Sequence, residues 1–130
     1  MNRFYIFVDN ECNFNPIVLK NDIILIVCRS YASTINVLRY CKDHEWKAWL
    51  DLDYDLGEEK TGYDICKFIV ENQIPILGYH LHTMNPVGRQ NMEQLLSLTM
   101  DMPLSERGLA VYPREDVGKQ HRICKYPVKE

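Results

Sequence analysis

Arg3 to Val8 reads as a first strand, apolar behind its single cation, and Ile23 to Cys28 is apolar throughout. Short runs without strict alternation suit strands covered on both faces. Lys47 to Asp53 and Ile76 to His82 are two more such segments, and Gly108 to Tyr112 is a candidate fifth strand. Between these runs the period changes from strand to helix. Ile35, Leu38 and Cys41 recur at helical spacing after Ser30, a suitable N-cap. Ile65, Phe68 and Ile69 do the same after Thr61-x-x-Asp64, a capping box with a short acid at its fourth position. Met92, Leu95 and Leu96 mark a third helix, expected from about Gly88 to Thr99.

Strands alternating with helices predict a parallel α/β sheet with right-handed crossovers. This agrees with a single-domain, flavodoxin-type sheet in the order 2-1-3-4-5, one of the common doubly-wound orders. Residues 11–22 are polar and contain a proline, so the helix that ought to follow the first strand is expected to be reduced. Polar sequence without periodicity begins at Pro113. The expected division is therefore a domain over residues 1–112 and a polar tail over residues 113–130.

Composition narrows the function classes. A chain of 130 residues, 46% hydrophobic and 25% charged, can bury a globular core. Its net charge of −3 gives no general attraction to nucleic acid, although Arg114, Lys119, Arg122, Lys125 and Lys129 form a local basic stretch. No apolar run is long enough to span a membrane, and Met1-Asn2-Arg3 leads into a strand without a cleavage pattern. The five cysteines are scattered and include no C-x-x-C pair. That argues against a zinc site or a disulfide framework, and for a reducing cytoplasm with the cysteines as buried apolar residues.

The candidate chemistry lies at strand ends. In this topology the first and third strands end side by side at the switch point, where ligands bind. Asp9, Asn10, Asp53 and Asp55 are expected to converge there. Clustered carboxylates repel, and oxygen donors of this kind suit Mg2+ or Mn2+, with Asp9 and Asp53 as the expected metal ligands. His82 ends the fourth strand, with His80 on the same face, and is the natural proton carrier. The turn Asn85-Pro86-Val87-Gly88 launches a helix whose N–H groups suit an anion. Arg89 stands in the first helical turn, where the helix dipole mildly disfavours a cation, a small argument for a bound anion. Thr83, Asn85, Gly88 and Arg89 are thus the expected substrate-binding residues. Arg29, at the end of the second strand, is a weaker candidate for the same role.

Three segments carry a family resemblance: Leu52-Asp53-Tyr54-Asp55-Leu56-Gly57, Thr61-Gly62-Tyr63-Asp64, and His82-Thr83-Met84-Asn85-Pro86-Val87-Gly88-Arg89-Gln90-Asn91-Met92. In order and spacing they resemble the cyclic-phosphate-processing receiver-like family, a divergent branch of the receiver fold. Its pattern is roughly L-D-H-D-L-G, T-G-Y-D, then H-S-x-N-P-V-G-R-x-N-M. The resemblance implies the receiver topology and a phosphoesterase acting on a cyclic phosphate of a nucleotide or RNA end. It also implies His82, Asp53 and Asp55 as catalytic residues. Asp51 has no counterpart in the family block and is expected to be structural. This chain departs from the pattern in two places. Asp9-Asn10-Glu11-Cys12 stands where the family has two acids followed by an arginine, and Tyr54 replaces the histidine between the two acids.

Those departures favour a second reading, a receiver-like module that binds or sequesters a nucleotide or nucleic-acid ligand without turnover. A phosphoacceptor domain using Asp53 is weaker, because Pro113-Arg114 offers no lysine after the fifth candidate strand. The expected partner is a phosphate-containing small molecule or an RNA end.

Overall fold

The computed structural model describes residues 3–11, 17–18 and 23–98. Its elements run β1 (Arg3–Val8), β2 (Ile17–Val18), β3 (Ile23–Cys28), α1 (Tyr31–Asp43), β4 (Lys47–Leu52), α2 (Gly62–Glu71), β5 (Gly78–Leu81) and α3 (Pro86–Leu96). They form a five-stranded sheet in the order β2-β3-β1-β4-β5. The pairs β1–β3, β1–β4 and β4–β5 are parallel. The four strands expected first therefore lie in the predicted order 2-1-3-4. Of the connection after β1, residues 9–11 and β2 are described, and β2 pairs antiparallel with β3 at the sheet edge. The fifth candidate strand, Gly108 to Tyr112, and the tail over residues 113–130 lie outside the described residues.

Central strands explain the unbroken apolar runs. β1 is flanked by β3 and β4, and five of its six residues are buried. Phe4, Ile6 and Val8 join Leu50, Leu52, Tyr79 and Leu81 in one core cluster with Ile35, Leu38, Ile65, Ile69, Met92 and Leu96 of the helices. Alternation sends Tyr5, Phe7 and Asp51 to the opposite face, where they are also buried. Cys28, Cys41 and Cys66 are buried free thiols. Burial pushes the first two up to about 11 and Cys66 higher still, so they pack as small apolar groups.

Local chemistry sets the helix starts. Ser30 and Ser33 form a reciprocal capping box for α1. The Thr61 amide donates to Asp64 Oδ2 at 2.8 Å and the Tyr63 amide to Thr61 Oγ1 at 3.2 Å, which fulfils the box expected at α2. Asn85 caps α3 through its side chain, with Pro86 at the first position, so α3 starts two residues before the expected Gly88. β5 is shorter than the expected Ile76 to His82, yet the Leu77 amide still donates to Ala48 and the His82 amide to Leu52. No helix among the described residues is long and apolar enough to cross a membrane.

Candidate functional site

Register aligns the strand ends. Val8 pairs with Leu52, and Leu52 with Leu81. One step further, the Asp53 amide donates to Val8 and the His82 amide to Leu52, each at 3.1 Å, while the Asp9 amide donates to Cys28 at 3.0 Å. Asp9, Asp53 and His82 are thus the next residues on three adjacent strands, on one face. One donor atom from each lies within 4.8 Å of the other two.

His82 is held from three sides. Its Nδ1 lies 2.6 Å from Asp51 Oδ1, and the Tyr5 hydroxyl donates to Asp51 Oδ2 at 2.5 Å. Its ring stacks on Phe7, with centroids 4.6 Å apart and planes 3° from parallel. Its Nε2 faces Asp9 Oδ2 at 3.3 Å. The other oxygen of Asp9 accepts the Glu11 amide at 2.9 Å, which turns Oδ2 toward the ring.

The charges in this cluster are mutually dependent. Burial alone would strip the proton from His82, but the charge and hydrogen bond of Asp51, aided by Asp9 and Asp53, raise it to about 10. Burial likewise acts to raise Asp51. The His82 charge and hydrogen bond, then His80 and the Tyr5 hydroxyl, overcome that and hold it below the usual carboxylate range. An ionised Asp51 can only accept, so Nδ1 carries the proton between them. Asp53 shifts the other way. Burial raises it and the Asp9 charge adds to the rise, against the opposing charge of His82 and hydrogen bonds from Tyr54 and Thr83.

Thr83 links this cluster to α3. Its hydroxyl bonds Asp53 and also accepts the Asn85 amide at 3.2 Å. Asn85 Oδ1 in turn accepts the Gly88 amide at 2.9 Å, so that N–H already serves the helix cap. Arg89 is exposed, and its Nη2 donates to the Thr83 carbonyl at 2.6 Å. Thr83, Met84, Pro86, Arg89, Gln90 and Glu93 line an open groove of about 490 Å³. Thr83 is the residue that the groove shares with the aspartate–histidine cluster.

Two glycines allow these close approaches. A Cβ on Gly62 would lie 2.2 Å from the Asp53 carbonyl oxygen. A Cβ on Gly88 would lie 2.6 Å from the Tyr54 ring. The T-G-Y-D and N-P-V-G motifs thus hold α2 and α3 tightly against the Asp53-Tyr54 corner.

Of the expected site residues, Asp9, Asp53, His82 and Thr83 come together, with Arg89 at the margin. Asp55 stands apart: it is exposed, and its Oδ1 accepts the Gly57 amide at 2.9 Å. Asn10 packs its amide near Gly57 rather than into the cluster. Arg29 is exposed at the end of β3. Asp51, expected to be structural, makes the shortest contact to His82 and so supports the site's histidine. Tyr5 and Phe7 were not singled out at all. The signal was there in the period of two: Tyr5, Phe7 and Asp9 share a face, as do Asp51 and Asp53. A buried acid within a strand also requires a partner.

An open parallel sheet whose carboxyl edge gathers two aspartates, a histidine and a threonine defines a receiver-like α/β domain. The family model of the cyclic-phosphate processing receiver domain matches residues 4–98, and the chain belongs to that family. No curated protein and no solved structure matches the chain.

Proposed function

We propose that the chain is a cytoplasmic phosphoesterase that opens a cyclic phosphate of a nucleotide or RNA end at the Asp9–Asp53–His82 cluster. The convergence of these three side chains one step beyond Val8, Leu52 and Leu81 is the observation that carries this reading. Family membership supplies the substrate class.

The donor set fits a divalent cation such as Mg2+ or Mn2+. Two carboxylates and an imidazole nitrogen lie close enough to share one ion, and a cation there would offset the burial and the Asp9 charge that raise Asp53. Asp9 and Asp53 would hold it. Bound there, it would neutralise charge developing on the phosphoryl oxygens. Arg89, at the groove margin, takes the phosphate by turning from the Thr83 carbonyl, and its planar fork suits two phosphoryl oxygens. Thr83 orients Asp53 through its hydroxyl. His82 serves through its fixed place between Asp51 and Asp9; its Nε2 is buried and turned to Asp9, so it does not swing out as a free shuttle.

A second reading has its own support. Tyr54, in the place of the family histidine, packs its ring against Gly88, and Asn10 replaces an acid. Both favour a module that binds a phosphate-bearing ligand without turnover. One experiment separates the two: 2′,3′- and 1″,2″-cyclic phosphates and cyclic oligonucleotides are followed by phosphorus NMR alongside calorimetry. Ring opening by the wild type that is lost in Asp53→Asn and His82→Ala supports the enzyme. Heat of binding without product under every cation tested leaves the binding module.

A further inference from the structure

We infer that His82 is a metal ligand through Nε2, held in place by Asp51, so that the centre is a mixed nitrogen–oxygen site that takes Mn2+ in preference to Mg2+. The inference rests on the cation reading above and names the third donor, its support and the class of ion.

Three observations point the same way. The first is orientation. A metal-bound histidine ordinarily gives its other ring N–H to a carboxylate, which fixes the tautomer and aims the free nitrogen at the ion. Here Nδ1 meets Asp51 Oδ1 at 2.6 Å, and the Tyr5 hydroxyl secures the second oxygen of Asp51. The ring lies flat on Phe7, which leaves it little room to rotate. Nε2 is thereby aimed at the space in front of Asp9 Oδ2.

The second is the donor set. The Glu11 amide occupies Asp9 Oδ1 and leaves Oδ2 toward the ring. Thr83 steadies Asp53 in the same way. Each of the three donors thus has its own supporting hydrogen bond, as preformed metal ligands require.

The third is charge. Asp9, Asp51 and Asp53 all face one imidazole. Three carboxylates exceed what a single imidazolium can balance, and uncompensated buried charge is expensive. A divalent ion among Asp9, Asp53 and Nε2 would release the Nε2 proton to solvent, bring more positive charge than that proton removes, and leave Asp51 paired with the Nδ1 proton. Carboxylate oxygens suit Mn2+ and Mg2+ alike, but an imidazole nitrogen favours a transition ion, and Mg2+ is the harder of the two and keeps an all-oxygen shell with several waters.

The test uses the full chain stripped with a chelator and titrated with Mn2+ or Mg2+ alone. Pulsed electron paramagnetic resonance of the Mn2+ complex is expected to show coupling to a 14N nucleus. His82→Gln removes that coupling, whereas His80→Gln retains it and so excludes the neighbouring ring. Calorimetry is expected to give tighter binding of Mn2+ than of Mg2+. Asp51→Asn should weaken Mn2+ about 10- to 100-fold. Should that variant not fold, Tyr5→Phe removes only the hydroxyl and is expected to weaken Mn2+ to a smaller degree. Mn2+ bound without nitrogen coupling, or coupling that survives His82→Gln, overturns the inference and leaves an all-oxygen cation site at Asp9 and Asp53. No Mn2+ binding overturns the cation reading as well.

Discussion

His82 Nδ1 and Asp51 Oδ1, 2.6 Å apart, join two strand ends that are neighbours in the sheet but far apart in the sequence. Asp51 is paired in register with His80, so its carboxylate reaches diagonally to the ring two residues further on. Asp51 is buried and His82 partly so, and each group keeps its partner charged. Removing His82 takes the cation from a buried Asp51 carboxylate, which costs about 3–5 kcal/mol in comparable pairs.

Stability of the metal-free protein should therefore depend on pH in two windows. His82 is raised from 6.5 to about 10, so its contribution is complete below 6.5 and is lost as pH climbs toward 10. Asp51 is lowered from 3.8, so its contribution is present above 3.8 and is lost as pH falls through its depressed value. Urea midpoints measured in chelator across pH 3 to 10 are expected to decline at both ends. His82→Gln should flatten the alkaline decline. An unchanged alkaline limb in that variant would show that another group is responsible.

Asp53 predicts a gain rather than a loss. Its folded carboxyl is raised, so the ionised form is disfavoured in the folded state and weighs against stability at neutral pH. Without metal, Asp53→Asn should melt higher than wild type. With Mn2+ the order should reverse, because a ligand that binds only the folded state stabilises by mass action and the variant lacks a carboxylate to hold it. Thermal melts with and without the ion check both halves. A variant that melts lower in chelator would mean the carboxylate is well compensated by the protein alone.

Much of the fold was legible because it rests on local signals. Ser30 and Thr61 capped as expected, and the apolar runs of β1 and β3 have the expected bounds. The site was legible where residues end strands, as with Asp9, Asp53 and His82, since topology alone brings strand ends together. Asp51 was not, because its role depends on a diagonal contact that only the register defines. Tyr5 and Phe7 resemble core residues in type and burial, and what set them apart in the sequence was the face of β1 that they share with Asp9. The helix N-terminus misled in part: the Gly88 N–H expected to await an anion is already satisfied by Asn85.

Gly88 should tolerate no side chain while Tyr54 stays in place. A Cβ there meets the Tyr54 ring at 2.6 Å, well inside ordinary contact. Gly88→Ala is expected to cost about 1–3 kcal/mol through overpacking. Tyr54→Ala removes the obstacle, so the double variant should lose less than the sum of the two singles. Chemical denaturation of the four proteins gives the coupling. Strict additivity would mean that α3 shifts away from Tyr54 at little cost.

Arg89 provides the last prediction, and it separates phosphate capture from the chemistry. Its guanidinium is exposed beside the groove and tethered to the Thr83 carbonyl, with no carboxylate paired to it among the described residues. An arginine without an acidic anchor at a helix N-terminus remains free to neutralise an incoming phosphate. Arg89→Ala should therefore weaken binding of a cyclic phosphate and lower its turnover, while leaving Mn2+ affinity unchanged. Arg89→Lys keeps the charge but not the planar fork, so it should restore binding only in part. The readout is calorimetry with the cyclic phosphate and with Mn2+ separately. Loss of Mn2+ affinity in Arg89→Ala would place the arginine within the metal centre. Unchanged phosphate affinity would place the phosphate elsewhere on the sheet edge.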